Sequence, residues 1–139
     1  MQFAIDVHLH SRFARATSRD LNPSNLHKWS ALKGVDVVGT GDYTHPEWFA
    51  ELSEQFEPAE AGLYKLKAPW RDAVERELPE RCRRAVRFML SVEISTIYKK
   101  GDKTRKIHHV VILPSLESVA RLNQRLGAIG NLKSDGRPI

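Results

Sequence analysis

Two imidazoles separated by one residue, His8 and His10 in FAIDVHLHSR, are the first chemically suggestive pattern in the chain. Alternate side chains of an extended strand share a face, so Asp6, His8 and His10 are expected on one side of the backbone. Two imidazoles placed this way can chelate one divalent ion, with Asp6 orienting a ligand from behind. A second group, Gly39-Thr40-Gly41-Asp42-Tyr43-Thr44-His45, follows a β-branched run. Its glycines allow a tight turn, after which Asp42 and His45 point back toward the same edge. A third candidate, Glu93, lies in the apolar run FMLSVEIS. A carboxylate there is costly to bury unless it is paired or metal-bound, and its two oxygens suit it to bridging two cations. The fourth is His108-His109; neighbouring strand residues face opposite ways, so only one of them can join the others. Each pattern has a plain alternative: surface histidines at a strand end, a turn in which Asp42 caps the next helix, a solvent-facing glutamate. Their recurrence on four successive strands points to metal-assisted hydrolysis, in which one ion generates a hydroxide and others polarise a phosphoryl oxygen.

The elements that must position these groups alternate between strand and helix. Strands are expected over 3–9, 35–42, 86–95 and 107–113, with a short one at 63–66. Helices are expected over 23–34, opened by Asn22 as N-cap and Pro23 at its first position, and from Pro46 to about 55. A third is expected over 69–83, with Pro79 able to split it, and a fourth over 116–127, capped by Ser115. KKGDK marks a turn. Strand, helix, strand is the signature of an α/β fold with a parallel sheet, whose sites form at the carboxyl ends of the strands. Trp29, Trp48 and Trp70 read as core.

At 139 residues the chain accommodates one domain, and 41% apolar with 28% charged residues is ordinary for a globular protein. No run of about 18 apolar residues is present, so no membrane partner is expected. The N-terminus does not read as a secretory signal. Cys82 is the single cysteine, which excludes a disulfide framework and a cysteine zinc site and fits a cytoplasmic location. A net charge of +5 favours anionic partners. Arg12, Arg15 and Arg19, in the loop after the histidine pair, are candidates to hold a substrate phosphate. Lys99, Lys100, Lys103, Arg105 and Lys106 set five cations against the one anion Asp102 in a basic hairpin over 98–106, where they could track a phosphate backbone. No GxxxxGK[ST] phosphate loop is present, which leaves a helicase without support.

DVHLHSRFARATS, GTGDYTHP, SVEIS and the HHVVILP strand resemble the successive motifs of the PHP (polymerase and histidinol phosphatase) superfamily. The longer blocks RATSRDLNPSNLHKWSALKGVDVVGTGDYTHPEWFAEL and IYKKGDKTRKIHHVVILPSLESVARLN resemble its endonuclease Q branch, often labelled UvrD helicase-like, and the similarity covers nearly the whole chain. The resemblance implies a distorted (β/α)7 barrel with a site of two or three Zn²⁺ or Mn²⁺ ions at the strand ends. Residues 1–139 are then expected to form the N-terminal part of a PHP domain, about the first four strands with their helices. The resemblance implies His8 and His10 as metal ligands, Glu93 as the bridging carboxylate, and His108 as the ligand of the fourth motif, with His109 the alternative. Asp42 and His45 both stand as ligands of the second motif, and Asp42 joins Glu93 at the reaction centre. Two departures matter. Ala16 stands where many three-metal sites have a histidine, and the family's terminal Asp-x-His has no counterpart after residue 109, where Asp135 is the only aspartate. The chain therefore reads as a truncated part of such a barrel. The implied activity is a metal-dependent DNA endonuclease acting at deaminated bases, such as uracil or hypoxanthine, in DNA repair. The alternatives are a small-molecule phosphatase of the histidinol phosphatase kind and a non-catalytic remnant.

Overall fold

The helices begin where capping residues or first-turn prolines place them. In the computed structural model, which describes residues 2–133, α1 spans Pro23–Lys33. Asn22 Oδ1 accepts a hydrogen bond from the Asn25 amide at 2.8 Å, and Gly34, at φ 78, donates to the Ser30 and Ala31 carbonyls to close the helix. Helix α2 (Pro46–Gln55) and helix α3 (Ala68–Glu77) each carry proline in the first turn, where its missing N–H costs nothing. Pro79 ends α3 early, and a 3-10 turn, Glu80–Cys82, replaces the rest of the helix expected to residue 83. Helix α4 (Leu116–Gly127) is capped by the Ser115 hydroxyl, which accepts from the Ser118 amide at 3.1 Å.

Six strands form one sheet: β1 (Ile5–Asp6), β2 (Val37–Gly39), β3 (Phe56–Pro58), β4 (Tyr64–Leu66), β5 (Arg87–Lys100) and β6 (Lys103–Leu113). Their order is β1-β2-β5-β4-β3, with β6 also on β5. β1 runs parallel to β2, and β2 parallel to β5, as the strand-helix-strand order predicts. The remaining pairs are antiparallel, so the sheet is mixed where a parallel one was expected, and β6 returns along β5 as the expected hairpin. The cause is connection length. Only Gly101 and Asp102 separate the paired Lys100 and Lys103, whereas a parallel crossover needs a dozen or more residues. Gly101, at φ 61, takes the first turn position that the right-handed twist of a hairpin requires.

β5 serves two neighbourhoods. Its first residues pair with β2 on one side and, at Phe88, with β4 on the other, while Leu90 to Lys100 pair with β6. The core lies under this junction and includes Val38, Phe56, Leu66, Phe88 and Leu90 from the sheet and Trp48, Leu52 and Val119 from the helices. Trp48 and Trp70 pack in or against it, but Trp29 is 55% exposed, which corrects its assignment to the core. Among the described residues no helix is long and apolar enough to cross a membrane.

His27 is the least comfortable member of the interior. It lies on the buried side of α1 at 2% exposure, and neither ring nitrogen has a hydrogen-bond partner among the described residues. Burial, reinforced by the nearby Arg71 guanidinium, lowers its pKa to about 4. The unfolded chain therefore binds a proton at this residue between about pH 6.5 and 4 that the folded chain refuses. Stability is unaffected above that window and falls as pH drops through it, by up to about 3 kcal/mol from this residue. His27→Leu is expected to remove this component and to be neutral or stabilising at pH 7, because no partner is orphaned. Urea unfolding of both proteins between pH 7.5 and 4 checks this; identical pH slopes would refute it.

Candidate metal centre

The histidine pair is carried by a segment that leaves its strand. Laddering on β1 ends at Asp6, although a strand was expected to residue 9. Beyond it, residues 7–10 lie directly on the backbone of the 39–41 turn. A Cβ added at Gly39 would stand 2.4 Å from the Val7 carbonyl oxygen, and one at Gly41 would stand 2.2 Å from that of Leu9. Gly41 also holds φ 62, so it meets both demands that select glycine. The turn is pinned from behind. The Ser91 hydroxyl accepts from the Gly41 amide at 3.1 Å, and the Ser91 amide donates to the Thr40 hydroxyl at 3.1 Å. The indole N–H of Trp48, fully buried in α2, donates to the Gly41 carbonyl at 2.9 Å.

Asp42 follows in the left-handed region at φ 44 and reaches the histidine segment. One carboxylate oxygen lies 3.1 Å from His10 Nδ1, and the other accepts from the Ser11 amide at 2.6 Å and the Ser11 hydroxyl at 2.8 Å. Contact with Asp42 at Nδ1 turns the other ring nitrogen of His10 outward, as partners behind metal-binding histidines do. Glu93, on β5, faces that nitrogen: its Oε2 lies 3.6 Å from His10 Nε2 and contacts His8 Nε2 directly. Its other oxygen contacts His108 Nδ1. The register explains this last contact. Ser95 stands opposite His108, so Glu93 is its diagonal neighbour on the same face. His109 is opposite Ile94 and belongs to the other face. These contacts, that with His108 foremost, hold the Glu93 carboxyl below the usual carboxylate range.

His8, His10 and Glu93 each offer a ligand atom, all within 4.8 Å of one another, so the three could hold a metal ion. The structure brings Asp42 and His108 against this group through His10 and Glu93, and His109 and Asp6 lie elsewhere. His45 stacks on Phe13 with ring centroids 4.2 Å apart. His109 is exposed on the opposite face of the hairpin. Asp6 accepts from the His8 amide at 3.3 Å and lines a groove of about 360 Å³ beside α1, so it does not orient an imidazole. Alternation fails here because the chain has left the strand. Asp135 lies outside the described residues.

Of the candidate phosphate-binding cations, Arg12 is paired with Glu51 and lies 5.1 Å from the Phe13 ring. Arg15, Arg19, Lys99, Lys100, Lys103, Arg105 and Lys106 are exposed, and none forms an ion pair among the described residues. Ser11 and Ser91, and the role of Thr40 within the glycine turn, escaped sequence reasoning, since hydroxyl residues carry no spacing signal. Ser11 directly after the histidine pair was the nearest to a clue.

No family model matches the chain. Over 50 residues, 36% of this chain and 6% of the relative, it is 46% identical to an uncharacterized protein of Methanocaldococcus jannaschii. Its structure is similar to that of the lesion-specific endonuclease PfuEndoQ from Pyrococcus furiosus, with a TM-score of 0.67 and 25% identity. That match covers 98% of this chain and 28% of the other. A second similar structure is endonuclease Q in complex with a 27-mer duplex bearing an abasic lesion at the active site, with a TM-score of 0.66 and 26% identity over 96% of this chain and 28% of that one. The chain is thus related to endonuclease Q and spans less than a third of its length.

The backbone contact at Gly41 is directly testable. Gly41→Ala is expected to cost about 1–3 kcal/mol through overpacking, beyond the left-handed strain it shares with other sites. It is also expected to weaken metal binding by displacing His10. Gly62→Ala is the control: at φ 76 it carries similar strain but has nothing within 4 Å of the added Cβ. Chemical denaturation of both variants and metal titration of each give the comparison; equal destabilisation with unchanged metal affinity would rule the contact out as a determinant.

Proposed function

We propose that this chain, built like one portion of endonuclease Q, supplies the N-terminal part of a PHP-type barrel whose activity is metal-dependent cleavage of DNA at deaminated bases. The observation that carries this reading is the convergence of His8, His10 and Glu93 at the base of an exposed basic hairpin. The donor set fits a divalent transition metal: two imidazole nitrogens and a carboxylate oxygen suit Zn²⁺ or Mn²⁺. Metal–ligand bonds of about 2.0–2.2 Å draw such donors to within about 4 Å of one another, a small adjustment from the separations present.

In this reading His8, His10 and Glu93 would hold the metal, with His108, in contact with Glu93, as a further candidate ligand. Asp42, secured by Ser11, acts on His10 from behind and sets which ring nitrogen faces the ion. Bound ions would supply a hydroxide nucleophile at neutral pH and polarise the phosphoryl oxygen. Arg15 and Arg19, without an ion pair among the described residues, are placed by this reading on substrate phosphates. The five cations of the hairpin favour a long polyanion over a small phosphomonoester, which weighs against a phosphatase.

Elemental analysis is the first test. The purified chain is expected to hold Zn²⁺ or Mn²⁺, and a His8→Ala/His10→Ala protein to lose it; equal metal in both would sink the proposal. Asp42→Asn is expected to keep the ligands and lower metal affinity about 10- to 100-fold. Cleavage of uracil- or hypoxanthine-containing duplexes, with and without chelator, tests the substrate. Turnover of a small phosphomonoester with every DNA left intact would favour the phosphatase instead.

A further inference from the structure

The hairpin is a ribbon with two chemically different faces. Glu93, Ser95, Ile97 and Lys99 of β5 share one face with Val110, His108, Lys106 and Thr104 of β6. This face leads along Lys99 and Lys106 to the candidate metal centre. The opposite face carries Tyr98 across from Arg105, Lys100 across from Lys103, and Thr96 across from Ile107. Tyr98 is 43% exposed and Ile107 41%, and the three cations beside them have no acidic partner among the described residues. Two features of this second face call for a ligand. Directly opposed like charges such as Lys100 and Lys103 destabilise a hairpin, and a bound polyanion removes that cost. An exposed aromatic ring among cations is the composition of a base-stacking platform, where the ring takes a nucleobase and the cations take its phosphates.

The spacing separates the two faces functionally. Tyr98 lies five residues from Glu93, which at about 3.3 Å per residue is roughly 17 Å, or about five phosphates along a duplex strand. An odd number of residues places it on the other side of the ribbon. A strand lying on the Glu93 face therefore cannot also reach Tyr98 without crossing the ribbon edge. We propose that the β5–β6 ribbon holds the two DNA strands apart: the strand to be cut runs along Lys99 and Lys106 toward Glu93, and an unpaired nucleotide of the opposite strand stacks on Tyr98 beside Arg105, its phosphates held by Lys100 and Lys103. This rests on the DNA-cleaving reading above and goes beyond it by assigning a second nucleotide site outside the metal centre.

The test uses the full chain and a duplex with a short bulge in the uncut strand containing 2-aminopurine, whose emission falls on stacking. Wild type and Tyr98→Phe are expected to quench it on binding. Tyr98→Ala is expected to lose the quench and about tenfold in affinity for the bulged duplex, with little change for a fully paired one. Replacing Lys100, Lys103 and Arg105 together by glutamine is expected to lower the slope of log K against log salt by about 2–3, while Tyr98→Ala leaves the slope unchanged. Quenching by Tyr98→Ala equal to wild type would overturn the proposal, as would an unchanged salt slope in the triple variant. The two readings fail separately. Tyr98-dependent stacking without cleavage of any DNA removes the enzymatic reading and leaves the ribbon, whereas cleavage with Tyr98-independent binding removes only the ribbon.

Discussion

The absence of two methyl groups, at Gly39 and Gly41, sets the geometry of everything at the site. With no side chain there, the 7–10 backbone rests directly on the 39–41 backbone, closer than any Cβ would allow. That contact lets Asp42 reach both His10 and Ser11, and it brings His8 within reach of a glutamate 85 residues later in the chain. Thr40, Ser91 and Trp48 serve the same contact from behind, satisfying the amides and carbonyls that a turn with no regular partner would leave bare.

The electrostatic arrangement follows from this packing. Among the described residues Glu93 is the one carboxylate that three histidines approach, and it is 15% exposed whereas His8 is 52% exposed. The negative charge thus sits below a rim of imidazoles, and the rim opens to solvent. Such a cup accepts a cation from outside and presents it to a ligand from outside. Around it the chain carries a net charge of +5, with unpaired basic residues concentrated on the arginine loop and the hairpin. The local anionic cup and the general cationic field act at different ranges, one on ions in contact and the other on a polyanion within a Debye length.

Much of this was legible in the sequence, and the misses have physical causes. Local signals located three of the four helices closely, since Asn22 and Ser115 cap through local bonds and Pro46 has its backbone angle fixed for a first helical position. The convergence of His8, His10 and Glu93 was anticipated from residue type and strand ends. The β5–β6 hairpin was legible from its turn, since a two-residue connection at Gly101-Asp102 is too short for any parallel return. Asp6 was misplaced because period-2 alternation holds only within a ladder, and the ladder ends at Asp6. Trp29 looked like core because it lies on the apolar stripe of α1, yet it stands 55% exposed at the rim of the groove beside that helix.

The hairpin also decides the order in which the site can come together. Glu93 and His108 are separated by 15 residues and joined through a two-residue turn, whereas His8 and Glu93 are separated by 85. The entropy of closing a loop rises with its length, and contacts between nearby residues form sooner than distant ones. Half of the site is thus a product of local folding, and the other half arrives only when the N-terminal segment settles onto its glycines. A cation that needs His8, His10 and Glu93 together binds the closed chain and not the open one. By mass action it adds to the stability of that closure alone, so occupancy of the site becomes a measure of how completely the N-terminal segment has folded.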